Sequence, residues 1–333
     1  MLKKFVLFVL ILIVPQSAFA QTPEPLLQAL QHIYHVRFAE AQKIIGQYIV
    51  KHPEDAQGYI LRGILKEWDQ LVNNRGKSKN DEIMDEFQKA RILGTDALEK
   101  DPDNVHLKTV LANAYLYVSK KQIDTGHKGQ SGLSLKKAKN LMEEVIQKDP
   151  NNHQAYFSIG LFNYFADRVP SGFKWLAKLI GISGDAKKGL AYLHKAAQVP
   201  SLTQVDAEFM LVYILSRREG RYKDALVYAA DLYKRYPENH VFLFDYSEML
   251  FRTKNIAESR EQFAKYFEFC EQNKGVCSQD LRYLSNYFVA WSYIDEKDFK
   301  NAKPYLIKAD ELNNKRYKDR SQDIENWKKL VGI

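Results

Sequence analysis

Few residues in this chain have the types and spacing that chemistry requires. His32 and His35 stand three apart, about one helical turn, and such a pair can begin a metal site. No further helical neighbour and no nearby cysteine completes a ligand set, so the expectation is a packed or exposed pair. Glu143-Glu144 and Asp295-Glu296 are adjacent carboxylates, but acid–base work needs two groups converging on one reacting atom, and these read as surface charges. No glycine-rich phosphate loop follows a strand pattern, because no convincing strand pattern exists. The reading is therefore of a protein that is not an enzyme and needs neither metal nor cofactor. An enzyme with an unfamiliar site stays as an alternative, since fold never excludes activity.

Cys270 and Cys277 are the only two cysteines. They bracket a turn containing Asn273-Lys274-Gly275, and their separation lacks the two-residue spacing of oxidoreductase motifs. A disulfide here closes a short loop, contributes about 2–3 kcal/mol on the chain-entropy model, and requires an oxidising compartment. The N-terminus points to the same compartment. Lys3 and Lys4 precede an apolar run from Phe5 to Val14, then come Pro15 and the small-x-small sequence Ala18-Phe19-Ala20. That layout predicts a secretory signal over residues 1–20, cleaved between Ala20 and Gln21. The run is short of the roughly 20 apolar residues that span a bilayer. The mature chain is expected to be exported, and periplasmic or secreted.

The elements that would position any site are helices. The 333 residues include only 16 glycines and 10 prolines, and the length exceeds that of one ordinary domain. The net charge of +8 is modest and scattered. Clusters such as Lys136-Lys137 and Lys315-Arg316 read as solvated helix faces rather than a nucleic-acid groove, so no nucleic-acid partner is expected. A spaced grammar recurs along the chain: an aromatic, a small residue, an apolar residue, then proline. It runs through Phe38, Ala41, Ile45 and Pro53; through Phe87, Ala90, Ala97 and Pro102; and through Tyr222, Ala225, Ala229 and Pro237. Small side chains facing bulky ones let antiparallel helices approach closely, and the proline ends the second helix of each pair. Taking Ala41, Ala90, Ala138, Gly189, Ala225, Ser259 and Ala302 as one equivalent position predicts seven repeats. Polar stretches at residues 73–80 and 121–134 read as loops inserted between the helices of their repeats.

Tyr156, Ile159-Gly160, Ala138 and Pro150 reproduce parts of a known pattern, and the chain resembles the tetratricopeptide repeat (TPR) family. The resemblance implies an all-α, right-handed α-solenoid of about seven helix pairs over residues 21–320, with a C-terminal cap helix over 321–333. It also implies a concave face lined by the first helix of each pair. Transferring the family's ligand-facing positions gives Phe157, Leu161 and Tyr164; Met210, Ile214 and Arg217; Phe244, Glu248 and Phe251; then Tyr287, Trp291 and Ile294. An aromatic stripe of this kind suits a protein or peptide partner, and it equally suits packing against neighbouring helices. The lysine–asparagine clamp by which some members hold a terminal carboxylate is not reproduced. Within the insertion 169–184, Phe173, Leu176 and Leu179 share a helical face flanked by Trp175. That face either covers an edge of the solenoid or makes a peripheral membrane contact. Residues from Gly160 to Leu190 also resemble a stretch of eukaryotic inclusion-clearance proteins of the mitochondrial outer membrane. The function implied is a non-catalytic protein- or peptide-binding scaffold of the cell envelope, with membrane association through the insertion as the alternative.

Overall fold

The computed structural model describes residues 22–74, 79–169, 171, 181–313 and 317–332, and within them fifteen helices and no strand. The signal segment and the insertion residues Phe173, Trp175, Leu176 and Leu179 lie outside the described residues. The inner helices are α1 (Glu24–Tyr34), α3 (Ala56–Val72), α5 (Val105–Asp124), α7 (His153–Asp167), α9 (Gln204–Arg217), α11 (His240–Arg252) and α13 (Gln279–Asp295). Each is followed by an outer partner: α2 (Phe38–Lys51), α4 (Asn80–Lys100), α6 (Lys128–Lys148), α8 (Ala186–Ala196), α10 (Tyr222–Arg235), α12 (Ile256–Gln272) and α14 (Phe299–Leu312). A final helix, α15 (Lys318–Val331), packs on the seventh pair. Among the described residues no helix is long and apolar enough to cross a membrane.

The grammar of small against large side chains is the packing code of these pairs. All seven repeat-equivalent positions on the outer helices, Ala41 through Ala302, are buried. A methyl added at Gly63 would stand 2.3 Å from the Phe87 ring, and one at Gly189 would stand 2.5 Å from the Tyr164 backbone nitrogen. Side-chain caps start several helices. Asp55, Asn104, Asn239 and Ser278 each accept a hydrogen bond from a backbone N–H of the first turn. The inter-repeat prolines are latched in two repeats: Tyr59 Oη donates to the Pro53 carbonyl at 3.0 Å and Tyr156 Oη to the Pro150 carbonyl at 2.9 Å.

The stretch 121–134 is a correction. The structure continues α5 to Asp124, turns at Thr125-Gly126-His127 with Gly126 at φ 87°, and begins α6 at Lys128. Polar composition suggested a loop. Most of these residues are solvated and none is proline, so the extra length of the early repeats goes into longer helices: α4 and α6 have 21 residues where α10 has 14.

The inner helices also meet one another across the axis of the array. Tyr34 at the end of α1 packs edge-on against Trp68 of α3, ring centroids 5.3 Å apart, and against Tyr236 beyond α10 at 5.5 Å. Trp68 in turn touches Phe209 of α9 and Phe242 of α11. Polar ties accompany these rings. Asn239 Nδ2 donates to the Tyr34 carbonyl at 3.2 Å, Tyr236 Oη donates to Gln31, and Glu238 engages His35 and Arg37. Tyr117 of α5 donates to Asp206 of α9 at 2.6 Å. The first repeat is thus clasped to the junction of the fifth and sixth.

If close approach sets the pairing, Gly189→Ala forces α7 and α8 apart and lowers stability by about 1–3 kcal/mol. Gly46→Ala, with nothing within 4 Å of the new methyl, is neutral or stabilises α2 by about 0.5–1 kcal/mol. Urea unfolding of both variants beside wild type checks the contrast; equal midpoints contradict it.

Candidate functional site

Packing within the array consumes most of the inner face. Of the positions transferred from the family pattern, Phe157, Leu161, Tyr164, Phe244, Phe251 and Tyr287 are no more than 8% exposed. Met210, Trp291 and Ile294 are half-buried, while Ile214 and Glu248 are fully buried. These side chains pack against the structure's own helices, where the family pattern had them facing a partner. The physical reason is packing between neighbours: Phe244 packs on Phe263 and Tyr266 of its own pair, and Phe251 on Phe288 and Trp291 of the next repeat. In the seventh repeat α15 covers what remains, with Trp327 stacked on Tyr287 at 5.2 Å and Asp323 accepting a hydrogen bond from Tyr287 Oη. Arg217 forms a two-armed pair with Glu248, one arm at 2.6 Å, and borders a small hollow at the start of α15.

One larger space survives. A cleft of about 640 Å³ lies among α3, α5, α9, α11 and the first turn of α13. Its apolar wall is made by Trp68 and Leu71 of α3, Phe209 of α9, and Val241 and Phe244 of α11. Leu71 is 47% exposed and Phe209 half-buried, so this wall meets solvent. Phe244 is the one transferred position that reaches it. Ionisable groups line the cleft as well. Glu67 accepts from Lys120 at 2.8 Å and from Lys121 at 2.9 Å, and Lys121 also pairs with Asp124 at 3.1 Å. Asp206 and Asp245 stand on α9 and α11, and Asp280 on the first turn of α13.

The electrostatics differ from one end of the cleft to the other. At the α3–α5 end burial pushes the Glu67 carboxyl up, but the two ammonium groups outweigh it and hold the pKa below the usual carboxylate range. Toward α11 burial prevails. It raises Asp206 despite the Lys120 charge and the Tyr117 hydrogen bond, and it pushes Asp245 up to about 7, with Glu248 adding like-charge repulsion. Burial also drives His240 down to about 4, so its imidazole is neutral. His240 lines the same cleft, is 2% exposed, and its Nδ1 meets no hydrogen-bond partner among the described residues.

Sequence reasoning passed over Trp68, Asp206, Phe209 and Asp245. A signal was present: Asp206 interrupts the apolar start of α9 and Asp245 the aromatic run Phe242-Leu243-Phe244. A carboxylate lodged on the inner side of a packed helix needs a cavity, a partner or a proton.

Asp245 takes the proton, which gives a signed expectation. A carboxyl whose folded pKa is raised is protonated in the native state over a range where the unfolded chain has already released its proton. Its contribution is therefore full below about pH 4 and lost as pH climbs to about 7. Asp245→Asn removes that loss. Between pH 4 and 7 its melting temperature should rise relative to wild type by a few degrees; parallel pH profiles contradict the assignment.

Comparison with known proteins places the architecture. Residues 64–316, about three quarters of the chain, match the sequence model described as Iml2/Tetratricopeptide repeat protein 39. The stretch 160–190, whose resemblance was drawn from sequence, falls inside that range. Over 137 residues the chain is 26% identical to pre-mRNA-splicing factor 6 of Saccharomyces cerevisiae, a match that covers 41% of this chain and 14% of that protein. Among solved structures, YrrB, a TPR protein with an unusual peptide-binding site, is 17% identical with a TM-score of 0.46, over 70% of this chain and 97% of that one. A thermophilic TPR protein of Thermus thermophilus is 17% identical with a TM-score of 0.40, over 68% and 97%. A TPR protein of Parabacteroides merdae gives 15% and 0.34, over 93% and 98%. Repeat grammar, helix pairing and the extent of the sequence match agree: the chain belongs to the Iml2/Tetratricopeptide repeat protein 39 family.

Proposed function

We propose that this chain is a non-catalytic scaffold of the cell envelope that holds a protein partner by a segment seated in the cleft of Trp68, Phe209 and Phe244. The observation that carries the reading is the cleft itself. In an array whose inner face is largely spent on its own packing, a cleft of about 640 Å³ remains, lined by aromatic and aliphatic side chains together with charged ones. Pockets with an apolar body and a few placed polar groups are the usual form of a recognition site. Helical-repeat folds of this family serve protein–protein interaction by presenting such surfaces on a rigid frame.

The envelope location rests on the leader-like N-terminus and on the cysteines. Cys270 and Cys277 sit side by side across the end of α12, their Cα atoms 5.6 Å apart, a separation that a disulfide spans. Protein recovered from intact cells in the envelope fraction should therefore begin at Gln21 and titrate no free thiol. Full-length protein with two reactive thiols contradicts export.

The cleft is tested by crosslinking capture from intact cells with wild type beside Leu71→Glu. Leu71 is exposed, so the variant keeps its fold, and the added charge blocks the apolar wall. Partners captured through the cleft should fall at least tenfold. Indistinguishable captured sets contradict the proposal.

A further inference from the structure

We infer that the segment entering the cleft is cationic: the pocket takes an arginine or lysine side chain, flanked by apolar residues, from the partner protein. The inference rests on the cleft being the partner site and adds the chemistry of its occupant.

Charge complementarity carries it. Five carboxylates line the cleft (Glu67, Asp124, Asp206, Asp245 and Asp280) against two cations, Lys120 and Lys121. Both lysines stand on α5 and are spent on Glu67 and Asp124. The end near α9 and α11 holds Asp206 and Asp245, and neither is ion-paired to a lysine among the described residues. The guanidinium of Arg217, which faces the same end, is committed to the fully buried Glu248. A chain of net charge +8 repels cations at long range, so this acidic end is a local departure from the rest of the surface.

The apolar wall points the same way. Rings beside carboxylates recognise a cation twice, through the ring face and through the ion pair. This chain already uses the first contact internally: Arg260 lies 3.7 Å from the Tyr293 ring centre, Arg168 3.8 Å from Tyr164, and Lys195 3.9 Å from Tyr156. Phe209, which is half-buried, offers a surface of this kind in the cleft that Asp206 and Asp245 also line.

Two unsatisfied groups complete the argument. Asp245 has no hydrogen-bond or ion-pair partner among the described residues, and its carboxyl resists ionisation. The Arg217 charge offsets the burial only in part, and a guanidinium or ammonium there adds counter-charge. His240, which also lines the cleft, leaves Nδ1 without a hydrogen-bond partner among the described residues.

The test is selection of a random dodecapeptide display library on the full mature chain. Recovered peptides are then measured by fluorescence anisotropy against wild type, Asp245→Asn, Asp245→Lys and Leu71→Glu. Asp245→Asn is isosteric, so it keeps the fold while removing the charge. The inference predicts recovered sequences enriched in Arg or Lys beside aliphatic or aromatic residues. Their affinity should fall about tenfold in Asp245→Asn, further in Asp245→Lys, and also in Leu71→Glu. Recovery of neutral or acidic sequences that are lost in Leu71→Glu but not in Asp245→Asn overturns the cationic occupant and leaves the cleft as the site. Recovery of no binder, or of binders indifferent to every variant, overturns both.

Discussion

The structure depends on one aromatic contact at its centre. Trp68 is 4% exposed and touches Tyr34, Phe209 and Phe242, side chains from the first, fifth and sixth repeats. A tryptophan in that position buries a large apolar area and holds together rings that are far apart in sequence. Neighbour-to-neighbour packing alone would leave a solenoid open along its axis. The ring cluster around Trp68, with the ties from Asn239 and Glu238 to the end of α1, converts that linear array into a closed one. What the array can bind follows from where closure stops.

Closure explains why much of the fold was legible in the sequence and much of the site was not. Pairing of each helix with its successor is local, and local packing writes a periodic record: Ala41, Ala90 and Ala138 recur because a larger side chain would not fit at those contacts. The cap helix was legible for the same reason, as Trp327 packs onto Tyr287 and Trp291. Contacts across the axis leave no such record. Tyr34 and Tyr236 share no repeat position, and nothing in either segment marks the other as its neighbour. Repeat positions placed the aromatic stripe from Phe157 to Trp291 on inner helices, but whether such side chains face solvent or other helices is decided by tertiary packing that the repeat does not record. The length of the early repeats was misassigned for a related reason: polar residues at 128–134 extend a solvated helix as readily as they form a loop.

The same geometry links packing to recognition. Helices that meet across the axis hold their side chains rigidly, so the cleft left between α3, α5, α9 and α11 is preorganised. A preorganised site loses less entropy on binding than a flexible one. The charges in the cleft divide along the same lines. Where the inner helices approach closely, Glu67 and the two lysines neutralise one another. At Asp206 and Asp245 burial outweighs the nearby positive charge, and Asp245 favours its neutral form. Burying a carboxylate without a partner is costly, and a scaffold that carries one at the edge of its cavity holds energy that an incoming cation can recover.

The central claim is that the first repeat returns to the junction of the fifth and sixth and closes the inner face. It is tested most directly by a distance measured in solution. Arg37 and Glu238 are both exposed and lie within 3.4 Å of one another across the closure. Spin labels placed at these two positions, read by pulsed electron paramagnetic resonance, should give one short and narrow distance distribution, and Trp68→Ala should broaden and lengthen it. A long or broad distribution in the otherwise native protein would show an open solenoid and contradict the account.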